Sequence, residues 1–278
     1  MTPADETASA DRWAVILGAS AGSGAAIARA VARDPGLHVF GVHRGNFADD
    51  AAALEKELRA LGRRVVMHVA DAGDAAGADA GATRVGEVAG TRGVALVVHA
   101  LSGASLGHFL ATTDGKALHP RQFEKTFNYL AHSFAYWAQA LYERDLLAPS
   151  ARLLGLTNLL HDSLVHNAGL IAAAKAALQV YVRHLALELG PHGHRVNLLK
   201  FGSIVTPALA RTLGPAGVAR LEGAVREMIP AGRSCTFEDL GRIVAFLARD
   251  EGEWFNGATI DYTGGMTLRL LDMILRPE

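Results

Sequence analysis

A chain of 278 residues, half of them hydrophobic and a fifth charged, can bury a sizeable core, which excludes global disorder. With 27 Lys and Arg against 28 Asp and Glu, its formal net charge of −1 gives no electrostatic case for nucleic acid or an anionic membrane surface. The single Cys235 excludes an internal disulfide framework and suits a reducing, cytoplasmic setting.

The opening MTPADETASAD is polar and acidic, with no basic or apolar signal region, and reads as a flexible tail over 1–11. RWAVILG (12–18) reads as a buried strand, followed by a glycine loop and a small-residue helix. LHVFGV (37–42) is a second strand, and DDAAALEKELRALG (49–62) a helix with one charged face, ended by Gly62. RVVMHVAD (64–71) and, after an alanine- and glycine-rich segment, VALVVHAL (94–101) are the third and fourth strands. Pro120 suits a helix start, and helical periodicity runs from there to Leu147. RLLGLT (152–157) is the fifth strand, LVHNAGLIAAAKAALQVYVRHLALELG (164–190) a long helix, and HRVNLLKFG (194–202) the sixth strand. A loop and helix over 203–229, a helix over 237–250 and a last strand, ATIDYTGG (258–265), complete the pattern. No apolar run reaches the roughly 18 residues that span a bilayer. Strands alternating with helices predict an α/β fold: a Rossmann-like, doubly wound parallel sheet of about seven strands with helices on both faces. No linker divides the chain, so 12–278 is expected to be one domain.

GASAGSG places Gly18, Gly22 and Gly24 between the first strand and a helix. Phosphate binding needs this geometry, because glycines admit the phosphates and the helix N-terminus supplies free N–H groups. At the end of the second strand, Arg44 stands where an acidic residue would hold an NAD ribose; an arginine there pairs with a 2′-phosphate, favouring NADP while leaving NAD possible. Asp71, ending the third strand, is placed either to accept from an adenine amino group or to cap the next helix. Lys175 lies among alanines on the long helix, where an ammonium needs a partner such as ribose hydroxyls.

With Lys175 and HGHRVNLLKFGSIVTPAL in place, the chain resembles the short-chain dehydrogenase/reductase family, and within it the enoyl-acyl carrier protein reductase branch. VVHAL (97–101) resembles that branch's VHS segment, and 154–197 can be laid on it without a gap. The segment from Pro230 to Asp250 and Asp261–Gly265 match its Pro-x-x-Arg, Thr-x-x-Asp and Asp-x-Gly-Gly pattern, with one extra residue in the last. The resemblance implies that Gly18, Ser20, Ser23 and Gly24 cradle the cofactor phosphates and that Asp71 faces the adenine. It places Ala100 and Leu101 along the adenosine ribose and nicotinamide side, Ile204 at the carboxamide and Thr206 at the pyrophosphate. Thr157 stands at the family's catalytic-site Ser, and Lys175 matches the lysine that holds the nicotinamide ribose. A dimer or tetramer is also implied; no metal site is expected.

One position departs from the family. Its tyrosine acid lies four residues before the lysine, or seven in the enoyl branch, and here those places hold Ile171 and Ala168. A further tyrosine common in the branch is replaced by Asn158. Substitutes nearby are Asn158 and Asn167 as amide donors, Thr157 as a hydrogen-bond donor, His161 and His166 as titratable groups, and Tyr129 if its hydroxyl points inward. Tyr181, six residues past Lys175, is off its face. These residues point to an NADPH-dependent reductase of an activated C=C bond, acting on a small-molecule or acyl-thioester substrate. A lyase, cyclase or isomerase on the same scaffold, and a nucleotide-binding protein without turnover, are the alternatives.

Overall fold

Seven of the short apolar runs pair in parallel into one sheet, in the order β3-β2-β1-β4-β5-β6-β7. The structure is a computed structural model that describes residues 11–111, 116–159, 165–266 and 268, without the side chains of 207–209, 211 and 212. The strands are β1 (Arg12–Leu17), β2 (Leu37–His43), β3 (Val65–Val69), β4 (Val94–His99), β5 (Leu147–Thr157), β6 (Arg195–Phe201) and β7 (Thr259–Tyr262). The chain winds outward from β1 to β3, then returns to lay β4 on the other side of β1. That reversal leaves a crevice beyond the carboxyl ends of β1 and β4, where open α/β sheets bind ligands.

Alternation along β1 assigns the two faces, as the two-residue period of a strand requires. Trp13, Val15 and Leu17 pack with Phe134 and Trp137 of α5 (Ser133–Glu143) and with Leu178 and Val182 of α6 (Gly169–Leu189). Ala14 and Ile16 face the other way, toward Ile27 of α1 (Gly22–Val31), Leu54 and Leu58 of α2 (Ala48–Ala60) and Leu240 and Val244 of α8 (Phe237–Leu247). Helices on both faces and the doubly wound order agree with the predicted fold.

The structure assigns one segment left open and corrects three readings. The alanine- and glycine-rich segment is a helix, α3 (Ala75–Ala89), whose N-cap Asp74 accepts from the Gly77 amide. The helical run after Pro120 stops at Glu143, and Leu147 already belongs to β5. That run divides into α4 (Pro120–Phe127), a π turn (Asn128–His132) and α5. Asp11, assigned to the tail, hydrogen-bonds His38 at 3.2 Å and pairs with Arg64; the rest of the tail, 1–10, lies outside the described residues. Finally, Gly169–His192 is long and apolar enough by composition to cross a bilayer. Its Leu178, Val182, Ala186 and Leu189 instead pack into the core against the sheet.

Candidate active site

The glycine loop owes its shape to close backbone approach. Gly18 adopts a φ of +89°, and a Cβ there would sit 2.8 Å from the Ala100 carbonyl oxygen. A Cβ on Gly24 would lie 2.1 Å from the Gly18 oxygen, so neither position admits a side chain. Ala100 is tied to the strand by its N–H, which donates to Leu17 O at 2.9 Å. Helix α1 starts at Gly22 with no side-chain cap and no acidic residue in its first turn. Its first N–H groups are thus open to an anion, with the helix dipole behind them. This cradle fits the pyrophosphate of a dinucleotide, and Ala100 and Leu101 border it where a side chain on Gly18 would meet them.

At the ends of β2 and β3, three predicted residues come together in an arrangement the sequence reading missed. The Tyr129 hydroxyl donates to Asp71 Oδ2 and accepts from Arg44 Nη1 at 3.2 Å. The Arg44 guanidinium lies 4.8 Å from the centre of the Tyr129 ring. Asp71 Oδ1 accepts from the Gly73 amide at 2.9 Å, so it shapes this turn, while Asp74 caps α3. Tyr129 therefore does not aim its hydroxyl toward the lysine. Burial, then the Asp71 hydrogen bond, push its phenol above the ordinary value.

Lys175 is buried in the middle of α6, and its Nζ donates to Leu156 O at 2.7 Å. Burial lowers its pKa to about 8. The adjacent Thr157 is buried at the end of β5, and Asn158 follows it, partly buried. Ile171 and Ala168 lie four and seven residues before Lys175, hence on its helix face. Ala168 is buried, whereas Ile171 is partly exposed. Behind the lysine, His99 Nε2 pairs with Ser133 Oγ at 2.8 Å. Burial and the lysine's charge lower the His99 pKa to about 3, which keeps the imidazole neutral.

The loop after β4 crosses the start of α6. Gly107 N–H donates to the backbone oxygen of Asn167 at 2.9 Å, and the rings of His108 and His166 meet at 5.0 Å. Asn167 is exposed there, with Leu106, Phe109, Leu110 and Val165 as an exposed apolar rim. His161 lies outside the described residues. Tyr181 bonds His132 Nδ1 at 3.0 Å, in keeping with its exclusion. Beyond β6, Ile204 and Val205 line a cavity of about 470 Å³ with Val225, Arg226 and Cys235. Thr206 stands just before α7 (Pro207–Met228), and its carbonyl accepts from Ala210 N–H at 2.9 Å. The Pro-x-x-Arg and Thr-x-x-Asp motifs close into a structural cap. Asp239 takes Arg233 at 2.5 Å, Arg242 at 2.7 Å and the Thr236 hydroxyl at 2.8 Å.

Comparison with known proteins bears on the family and the fold. The family model described as Enoyl-(Acyl carrier protein) reductase matches residues 18–267. The chain is 28% identical over 253 residues to an uncharacterized oxidoreductase of Methylorubrum extorquens, spanning 91% of this chain and 96% of that one. It is 26% identical to 1-cyclohexenylcarbonyl-CoA reductase of Streptomyces collinus, over 95% of this chain and 89% of that protein. It also shares 30% identity with the NADH enoyl-[acyl-carrier-protein] reductase of Escherichia coli, over 50% of this chain and 52% of that enzyme. Among solved structures, a short-chain dehydrogenase from Burkholderia cenocepacia in complex with NADP superposes with a TM-score of 0.79 at 27% identity, covering 92% of this chain and 98% of that one.

Proposed function

Because the chain belongs to the Enoyl-(Acyl carrier protein) reductase family of short-chain dehydrogenase/reductases, an oxidoreductase family, we propose that it is an NADPH-dependent reductase of an activated C=C bond, such as an enoyl thioester or enone. Bound in the cradle of Gly18, Gly22 and Gly24, the reduced dinucleotide supplies the hydride. Arg44 meets its 2′-phosphate, which is why NADP is preferred here although the Escherichia coli relative is named for NADH. Lys175 would hold the nicotinamide ribose hydroxyls, the Ile204 backbone would meet the carboxamide, and the Thr206 hydroxyl would meet the pyrophosphate.

The observation that carries the reaction type is the face of α6 leading to Lys175, where Ile171 and Ala168 provide no acid. Hydride addition builds negative charge on the substrate carbonyl oxygen, and a donor must stabilise it. The Thr157 hydroxyl and the Asn158 and Asn167 amides donate hydrogen bonds, and the Lys175 ammonium adds positive potential. None of the three donors is a proton acid near neutrality. A thioester enolate needs only this stabilisation and then takes its proton at carbon from water. A ketone's alkoxide must be protonated on oxygen, which demands an acid more strictly. The apolar rim of Leu106, Phe109 and Leu110 suits an acyl or ring substrate. Exposed Val180 and Leu187 on α6 suit helix pairing between subunits, which gel filtration at the monomer mass would contradict.

The test is fluorescence titration with NADPH and NADH, followed by oxidation assays with crotonyl thioesters, enones and ketones. NADPH oxidation confined to conjugated C=C substrates supports the reading. Binding without oxidation across the panel overturns it.

A further inference from the structure

Three segments of the chain converge on a phenol carried by a fourth. Arg44 follows β2, Asp71 and Gly73 follow β3, Gly103 follows β4, and Tyr129 itself sits in the π turn before α5. The Tyr129 ring fills space left by the two glycines: a Cβ on Gly73 would come within 2.7 Å of it, and one on Gly103 within 2.8 Å. Both glycine backbones thus pack closely against the ring, and its hydroxyl is spent on Asp71 and Arg44. Arg44 is exposed and, among the described residues, forms no ion pair with a carboxylate. Left free, such a side chain has rotamer freedom that would be lost on binding an anion. Stacking on Tyr129 and one bond to its hydroxyl restrict that freedom in advance, while the other guanidinium donors stay available to a phosphate's oxygens.

We infer that Tyr129 is a positioning residue that sets the preference for a 2′-phosphorylated dinucleotide, by presenting the Arg44 guanidinium to that phosphate. The inference rests on the NADP reading above and deepens it. The choice between the two nucleotides then depends on a pair, of which only the arginine touches the ligand. The neutral phenol adds no competing charge.

The experiment needs no turnover. Adenosine 2′,5′-bisphosphate and 5′-AMP, which differ by the one phosphate, are titrated calorimetrically into the nucleotide-free full chain. The wild type is expected to favour the bisphosphate by about tenfold or more, the worth of one charge-assisted contact. Tyr129→Phe should cut that ratio by about fivefold, the worth of one ordinary hydrogen bond, with 5′-AMP affinity unchanged. Arg44→Ala should erase the ratio, and in that background Tyr129→Phe should change nothing further. A ratio that survives Tyr129→Phe overturns the inference, as does an equal loss of affinity for both ligands. If the wild type shows no preference and Arg44→Ala is silent, the NADP reading fails, and the role of Tyr129 with it. Should Tyr129→Phe fail to fold, Gly103→Ala displaces the same ring and is expected to lower the ratio in the same way; an unchanged ratio there overturns the inference.

Discussion

The ammonium of Lys175 donates to the carbonyl of Leu156 at 2.7 Å, fastening the middle of α6 to the end of β5 one residue before Thr157. The bond holds a charge in the core next to the site, and burial lowers the lysine's pKa from its ordinary 10.5 to about 8. Between those values the unfolded chain binds the proton that the folded chain has lost. Stability of the nucleotide-free protein should therefore rise as pH increases from 8 to 10.5. Lys175→Met removes this slope and the burial penalty, worth about 3 kcal/mol, while leaving Leu156 O unpaired at about 1 kcal/mol. The expected net gain is about 2 kcal/mol in urea unfolding at neutral pH, accompanied by weaker NADPH binding. A loss of stability at neutral pH would contradict the assignment of Lys175 as a strained, functional charge.

Ile171 and Ala168 share the face of Lys175 but differ in surroundings, since only Ile171 is partly exposed. A tyrosine at either place would bring a phenol toward the lysine, whose charge favours its ionised form. Ile171→Tyr should fold well and raise turnover of ketone substrates, which need an acid, by about tenfold or more. Ala168→Tyr should raise enoyl reduction but destabilise the fold by about 1–3 kcal/mol through overpacking. Steady-state kinetics with paired enone and ketone substrates check both. No gain from either would show that the pocket serves different chemistry.

Gly24 touches the backbone of Gly18 so closely that a Cβ would lie 2.1 Å from its carbonyl oxygen. Gly24→Ala is therefore expected to cost about 2–3 kcal/mol by forcing the loop and α1 apart. At this chain length that lowers Tm by about 5–10 °C in calorimetry. Nucleotide binding should fall too, because the cradle and the helix start move together.

Asp239 is buried at the start of α8, and the Arg233 hydrogen bond, followed by the Thr236 bonds, holds its carboxyl well below the ordinary carboxylate range. The stability it contributes is present above the unfolded value, near pH 4, and is lost as pH falls through the depressed folded value. Asp239→Ala should cost about 2 kcal/mol at neutral pH through the lost cap and charge-assisted bonds. It should also flatten the acid limb of a stability–pH curve measured by denaturant titration. An unchanged acid limb would place the acid sensitivity elsewhere.

The parts of the fold that depend on local pattern were legible: β1 to β7 announce themselves as short apolar runs, and the Gly18–Gly24 loop as a strand-to-helix turn. Helix α3 was hidden because Gly77, Gly81 and Gly86 depress helical propensity. The structure shows the reason for Gly81: a Cβ there would come within 2.2 Å of the Trp137 ring. The end of the helix before β5 was misplaced because Leu146 and Leu147 continue an apolar period that suits either element. At the site, Lys175 stood out as a charge among alanines. The contacts of Tyr129 did not, since its partners lie 58 and 85 residues away in sequence and no local pattern relates them.

The π turn at Asn128–His132 holds one residue more than an α-helical turn would. An added residue rotates everything before it by about 100° relative to everything after. The phenol that clasps Arg44 and the wall of Phe134 and Trp137 that fills the core thus lie on either side of a phase step in one continuous rod. Deleting a single residue from that turn would restore an unbroken helix and leave the core aromatics in place. The same deletion would turn the clasp away from its arginine, so a preference for one nucleotide can be lost without altering any residue that touches it.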